Sequence, residues 1–218
     1  ISTGEGGVVV TSDPKLARIA ALFADKYYDR TPGAPRAPES LAPNYRMTEL
    51  QGAVGIAQLA RLRGICRRRN SIGTRITARI KGLRGILVPK VTRGGYHTYW
   101  FYGLRVDPKR LGCGNKDFAQ ALSAEGVPCS AGYIQTCVYN WPVLAKRQAY
   151  ARHPECPFDP PYRDKPIRYH EGLCPVAEET LRTAVLIAIN EFWSAKDVHE
   201  TIAAVRKVAQ HFAARSTE

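Results

Sequence analysis

Residues 44–83 read NYRMTELQGAVGIAQLARLRGICRRRNSIGTRITARIKGL, and the spacing of their apolar side chains decides how the chain is organised. Leu50, Val54, Ala57, Leu62, Ile65, Ile72, Ile76 and Ile80 keep one stripe in step at helical intervals. Thr48 followed three residues later by Gln51 is a capping-box signature, in which each residue satisfies a backbone amide at the helix start. The stretch therefore predicts one long helix or two in tandem, from about Thr48 to Lys81, with a bend near Gly73. At ~1.5 Å per residue it would reach ~50 Å, enough to leave one domain and enter another.

Working outward, ISTGEGGVVVTSD (residues 1–13) places Gly4, Gly6 and Gly7 before Val8, Val9 and Val10. Glycine permits positive φ, and the valine run predicts a buried central strand whose neighbours would lie upstream. A nucleotide phosphate loop is excluded, because a strand rather than a helix follows these glycines. Ser12 or Asp13 can cap a helix with Pro14 in its first turn and Leu16, Ile19, Ala20 and Phe23 on its apolar face. Residues 30–43 are a proline-rich loop.

Downstream of the long helix, YHTYWFYGLRV (96–106) predicts a strand, and NKDFAQALSAEG (115–126) a helix with Asn115 as cap and Gly126 as stop. VPCSAGY (127–133) predicts a short strand, residues 153–166 a second proline-rich loop, and VAEETLRTAV a helix followed by the strand VLIAI. The last helix has Ser194 as cap, Asp197 at its third position, and Val198, Ile202, Val205, Val208 and Phe212 on its buried face. The sum is an α+β lobe of about 135 residues.

No apolar run approaches the roughly 18 to 20 residues that span a bilayer, so the expectation is a soluble protein with no membrane partner. The cysteines, Cys66, Cys113, Cys129, Cys137, Cys156 and Cys174, show no CxxC pair and no zinc spacing, which points to reduced thiols in the cytoplasm and to no metal site. Net charge is +13, and Arg67, Arg68 and Arg69 form its densest run among Arg61, Arg63, Arg75 and Arg79. A nucleic-acid module would join such a stripe to a recognition motif; none is present, and the arginines are read as solvated helix faces.

ISTGEGGVVVTSD, NYRMTELQGAVGIAQL and CPVAEETLRTAVLIAINEFWSAKDVHETIAAVRKV resemble, in that order, the second half of the DegT/StrS family of PLP-dependent sugar aminotransferases. GGYHTYWFYGLRVD and EGVPCSAGYIQTCVYNWPVL look most like the branch acting on keto-inositols such as scyllo-inosose. The resemblance implies an α/β fold, the C-terminal part of a fold-type I PLP-dependent transferase. Residues 1–47 would be the end of the large domain, 48–81 a linking helix, and 82–218 a small α+β domain. It also implies that the Schiff-base lysine lies just upstream of Ile1, so no catalytic residue is assigned within the chain. Lys15, Lys26 and Lys81 read as exposed helix residues.

The implied activity is that of a transaminase, a ping-pong transfer from glutamate or glutamine to a keto-sugar or keto-cyclitol, with pyridoxal 5'-phosphate as cofactor, pyridoxamine phosphate during the cycle, and a cytoplasmic homodimer as the working form. Two alternatives stay open: a same-fold sugar dehydratase, and an inactive remnant or binding half that needs an N-terminal partner. In the family the residue matching Asn44 reaches across the dimer to the partner's PLP phosphate, and Arg46 beside it can meet the phosphate or a substrate oxygen. Their other readings are the end of the proline loop and a surface ion pair. His97 and Tyr99, two apart on the expected strand, would share a face and line the sugar site, with Tyr133 in a similar role; a structural histidine is the other reading. Glu5 and its glycines would shape the loop behind the cofactor.

Overall fold

The capping box forms where the spacing places it. In the computed structural model, which describes residues 1–215 apart from positions 36, 151, 154, 155 and 166, the Thr48 amide and hydroxyl both donate to Gln51 Oε1 at 3.0 Å, and the Gln51 amide donates to Thr48 Oγ1 at 3.3 Å. Helix α2 (Glu49–Ile80) follows as one continuous element of 32 residues. The chain divides into two compact units, Ile1–Ile65 and Cys66–Glu218.

In the first unit, helix α1 (Pro14–Ala24) is capped by Asp13, whose carboxylate accepts from the amides of Lys15 at 2.8 Å and Leu16 at 3.3 Å. Just past its end the chain turns back through Lys26 and Tyr27, at φ 57° and 59°, into an isolated antiparallel bridge between Asp25 and Asn44. The glycine loop packs on the start of α2: Gln51 Nε2 donates to the Glu5 carbonyl at 2.8 Å, and a Cβ on Gly6 would lie 2.9 Å from Met47 Cε. The expected valine strand does not form. Among the described residues no strand pairs with Val8, Val9 and Val10, which are 83%, 80% and 88% exposed.

The second unit is built on a four-stranded antiparallel sheet, β1 (Ile86–Leu87), β2 (Tyr102–Val106), β3 (Cys129–Ser130) and β4 (Ala184–Ile187), in the order β1-β2-β4-β3. Register places Tyr102 opposite Ile187 and Leu104 opposite Val185, so one face of the central pair is wholly buried. Short helix α3 (Pro108–Leu111), helix α4 (Asn115–Ala124) and helix α7 (Ala195–Arg215) contribute Leu111, Phe118, Leu122, Val198, Val205 and Val208 to the same core. Two short helices, α5 (Pro142–Ala145) and α6 (Pro175–Thr183), lie between β3 and β4 in sequence. Within the second proline-rich loop, positions 154, 155 and 166 lie outside the described residues.

Several local expectations change. Ser194 and Asp197 form the expected box at the start of α7, but α4 is capped by Gly114 and Asp117. Asn115 instead turns inward, donating to the carbonyls of Leu181 at 3.3 Å and Ala184 at 2.9 Å. The strand expected from residue 96 begins only at Tyr102. On α2, Ile72, Gly73, Ile76 and Ile80 are buried, whereas Leu50, Val54, Ile56 and Leu59 are exposed. The six cysteines are free; burial pushes the Cys113 thiol up to about 11, and Cys174 is exposed.

Gly73 marks a close approach: a Cβ there would lie 2.7 Å from three ring atoms of Tyr99, a residue 2% exposed whose ring is stacked at 5.9 Å on Tyr102. Ala is the better helix former by about 1 kcal/mol, yet Gly73→Ala must displace a packed ring, at a cost of about 1–3 kcal/mol. Net destabilisation is therefore expected, read as a lower urea midpoint.

Candidate functional site

Two groups of candidate residues emerge, one in each unit. In the first, Asn44 does not head the helix; it sits five residues before Glu49, in the bridge with Asp25. Backbone bonds from Lys26 to the Pro43 carbonyl at 3.0 Å and from Tyr45 to the Ala24 carbonyl at 2.8 Å hold the bridge. Arg46 Nε lies 3.1 Å from Asn44 Oδ1 and 3.1 Å from Asp25 Oδ1. Lys26 Nζ is 2.8 Å from Asp25 Oδ1, and Arg30 Nε bonds Oδ2 of the same carboxylate. Asp25 is 7% exposed, and the Arg30 hydrogen bond, then that of Lys26, hold its carboxyl far below the usual carboxylate range.

One carboxylate thus faces three cations, which leaves two positive charges uncompensated. Among the described residues, Asn44 Nδ2 and the terminal nitrogens of Arg46 have no hydrogen-bond partner. An amide donor and a guanidinium beside surplus positive charge suit an oxyanion such as the phosphate of PLP. Lys15, Lys26 and Lys81 are exposed, and Lys26 stands just beyond α1 rather than within it.

In the second unit, His97 and Tyr99 come together, with ring centroids 3.9 Å apart and the Tyr99 amide donating to His97 Nδ1 at 2.8 Å. Their stacking arises from a turn in which Tyr99 adopts φ 48°, because the segment is not a strand. Tyr99 is therefore corrected from a pocket-lining residue to a core residue, its ring turned onto Gly73. Tyr133 lies against other partners: its ring centroid is 5.6 Å from Trp100 and 5.9 Å from Phe101, and both Tyr133 and Trp100 are 68% exposed.

The arginine run hides the residues that hold this loop. Arg69 donates to the carbonyls of Tyr99 at 3.1 Å, Trp100 at 2.7 Å and Ile189 at 2.8 Å, and pairs with Glu191 at 2.9 Å. Arg68 donates to the carbonyls of Glu191 at 2.6 Å and Trp193 at 3.1 Å. Asn70 Nδ2 donates to the His97 carbonyl at 2.9 Å. Reading these arginines as solvated faces is thus corrected for Arg68 and Arg69: guanidiniums with several fixed donors bind carbonyls that no strand satisfies. Nothing in the local spacing distinguishes them from Arg67. Among the described residues no group of His, Cys, Asp and Glu could hold a metal ion, and no helix is long and apolar enough to cross a membrane.

A sequence model described as the DegT/DnrJ/EryC1/StrS aminotransferase family matches residues 1–158. The chain belongs to this family. The L-glutamine:2-deoxy-scyllo-inosose aminotransferase of Streptoalloteichus tenebrarius is 30% identical over 227 residues, covering 97% of this chain and 51% of that protein. The spore coat polysaccharide biosynthesis protein SpsC of Bacillus subtilis is 28% identical over 218 residues, covering 96% of this chain and 51% of SpsC. The chain spans about half the length of the curated relatives it matches. A solved aminotransferase from Psychrobacter cryohalolentis superposes with a TM-score of 0.73 at 19% identity, over 93% of this chain and 51% of that one, which shows a shared mixed α/β fold.

Arg69→Ala removes three hydrogen bonds to carbonyls and one cation from a site where its side chain is 14% exposed. A loss of about 3 kcal/mol is expected, with a red shift of Trp100 emission as the loop loosens. Arg69→Lys keeps the charge but not the fork and should recover less than half of it, by chemical denaturation.

Proposed function

We propose that the parent protein is a PLP-dependent aminotransferase that moves an amino group from glutamate or glutamine to a keto-sugar or keto-cyclitol, working in the cytoplasm as a homodimer. Support comes from family membership over residues 1–158 and from a relative whose name specifies L-glutamine and a keto-cyclitol. The observation that carries the reading is the pair of unpartnered donors, Asn44 Nδ2 and the Arg46 terminal nitrogens, beside an overcompensated Asp25.

In this reading residues 1–47 belong to the large domain, 48–81 link it to the small domain 82–218, and the Schiff-base lysine lies on polypeptide before Ile1. PLP, when bound, supplies an electron sink for negative charge at the α-carbon of the amino donor. Asn44 and Arg46 would hold its phosphate in the partner subunit by charge-assisted hydrogen bonds, fixing the ring's position without touching the reacting atoms. His97 and Tyr133, with Trp100 and Phe101, would form the wall that meets a hydroxyl-rich ring. Tyr99 supports that wall from within the core.

The test is the full-length protein, incubated with PLP and gel-filtered, then given 15N-labelled glutamine or glutamate and a keto-cyclitol or keto-sugar. Retained cofactor absorbance and 15N in the product amine are expected; their joint absence overturns the proposal. Asn44→Ala removes one hydrogen bond to a charged group, about 1.5–3 kcal/mol. It should raise the Kd for PLP at least tenfold, measured by cofactor titration, while the melting temperature changes little.

A further inference from the structure

Asp25 is the one carboxylate in the anion-binding group, and its sign is wrong for direct contact with a phosphate. It is nevertheless the most buried member of the group, at 7% exposure, and every cation of the cluster meets it. The backbone just after it turns sharply: Lys26 and Tyr27 both take left-handed angles that non-glycine residues rarely adopt, and the Asp25–Asn44 bridge joins the two segments.

The hydrogen bonds run in one order. Asp25 Oδ1 and Asn44 Oδ1 both face Arg46 Nε at 3.1 Å. The Arg46 amide also points to Asn44 Oδ1, at 3.4 Å. With the Nε–H donated to Asn44 Oδ1 and the same nitrogen in an ion pair with Asp25 Oδ1, the guanidinium is held by one corner and its terminal nitrogens remain for an external group. With Oδ1 turned to Arg46, the Asn44 amide must present Nδ2 as its outward donor. Lys26 and Arg30 neutralise the carboxylate from its other sides, and Arg30 also lies over the Tyr28 ring at 5.3 Å. The repulsion Asp25 would exert on an incoming anion is therefore offset before the anion arrives.

We propose that Asp25 is the positioning residue of the anion site: by holding Arg46 through Nε it sets the terminal nitrogens of Arg46 and Nδ2 of Asn44 to receive one phosphate-type oxyanion. This rests on the assignment of Asn44 and Arg46 to phosphate made above. It differs from a purely electrostatic role in the sign of its effect. Removing a negative charge next to an anion site should tighten anion binding if charge alone matters, and weaken it if orientation matters.

The experiment uses the full-length protein, with inorganic phosphate followed by 31P NMR titration and PLP followed by cofactor retention. Asp25→Asn is expected to weaken phosphate binding about tenfold, and Asp25→Glu to recover part of the loss. The Arg46 Nε–H signal should exchange with solvent faster in Asp25→Asn than in the wild type, while circular dichroism stays unchanged. Arg46→Lys keeps the charge but has no Nε–H, so it should lose affinity similarly and serves if Asp25→Asn fails to fold. Phosphate or PLP binding as tight as wild type in Asp25→Asn or Arg46→Lys overturns the inference and leaves the aminotransferase reading intact. Wild-type binding of phosphate with the expected variant pattern but no retention of PLP sinks the cofactor assignment and leaves Asp25's role standing. Binding of neither probe by the wild type overturns both.

Discussion

The second unit depends on the seat that Gly73 leaves for the ring of Tyr99. Ile72, Ile76 and Ile80 make a buried stripe on α2, and the missing Cβ between them is what allows an aromatic ring to come within 2.7 Å of that position. Tyr99 reaches the seat only because its backbone turns to φ 48°. Arg69, one turn earlier on the same helix, fixes that turn by donating to the carbonyls of Tyr99 and Trp100. One helical segment therefore receives the ring and restrains the backbone that delivers it. The consequence lies outside the core: with Tyr99 turned in, Trp100 is turned out and meets Phe101 and Tyr133.

The first unit solves a polar version of the same problem. A carboxylate taken out of water must be paired, and Asp25 is paired with Lys26, Arg30 and Arg46. Because the pairing is three to one, neutralising the buried group leaves the surroundings positive. Structural need and surplus positive charge are here consequences of one arrangement. The net charge of +13 has the same double character. Arg68 and Arg69 hold loop carbonyls, Arg105 donates to Thr183 Oγ1 at 2.7 Å, and Arg147 donates to the Phe158 carbonyl at 2.9 Å. These four of the 32 basic residues serve bonds within the fold.

Half of the candidate site is legible in the sequence. Asn44 and Arg46 stand two apart in a motif, and the structure brings their side chains into contact. The glycine loop and the TELQ turn, distant in sequence, carry the family resemblance together; Gln51, which caps α2 and also donates to the Glu5 carbonyl, supplies the bond that joins them. Asp25 was not legible, because nothing around an acidic residue at the end of a helix says that three cations will converge on it. The place of Tyr99 is not legible for a related reason: alternation along a strand assigns faces only where a strand exists, and β2 begins three residues later.

What the sequence by itself determined were features whose partners lie within one helical turn or whose periodicity needs no partner at all: a cap for α1 at Ser12 or Asp13, the caps at Thr48 and Ser194, and the apolar faces of α1 and α7. Tertiary structure alone decided which of those faces is covered, since Leu50 and Ile76 belong to one stripe and only Ile76 is buried. It also decided which arginines are fastened and where Asn115 and Asp25 direct their polar atoms. Short-range hydrogen bonds are fixed by spacing along the chain, whereas burial and ion pairing depend on groups that folding alone brings within reach.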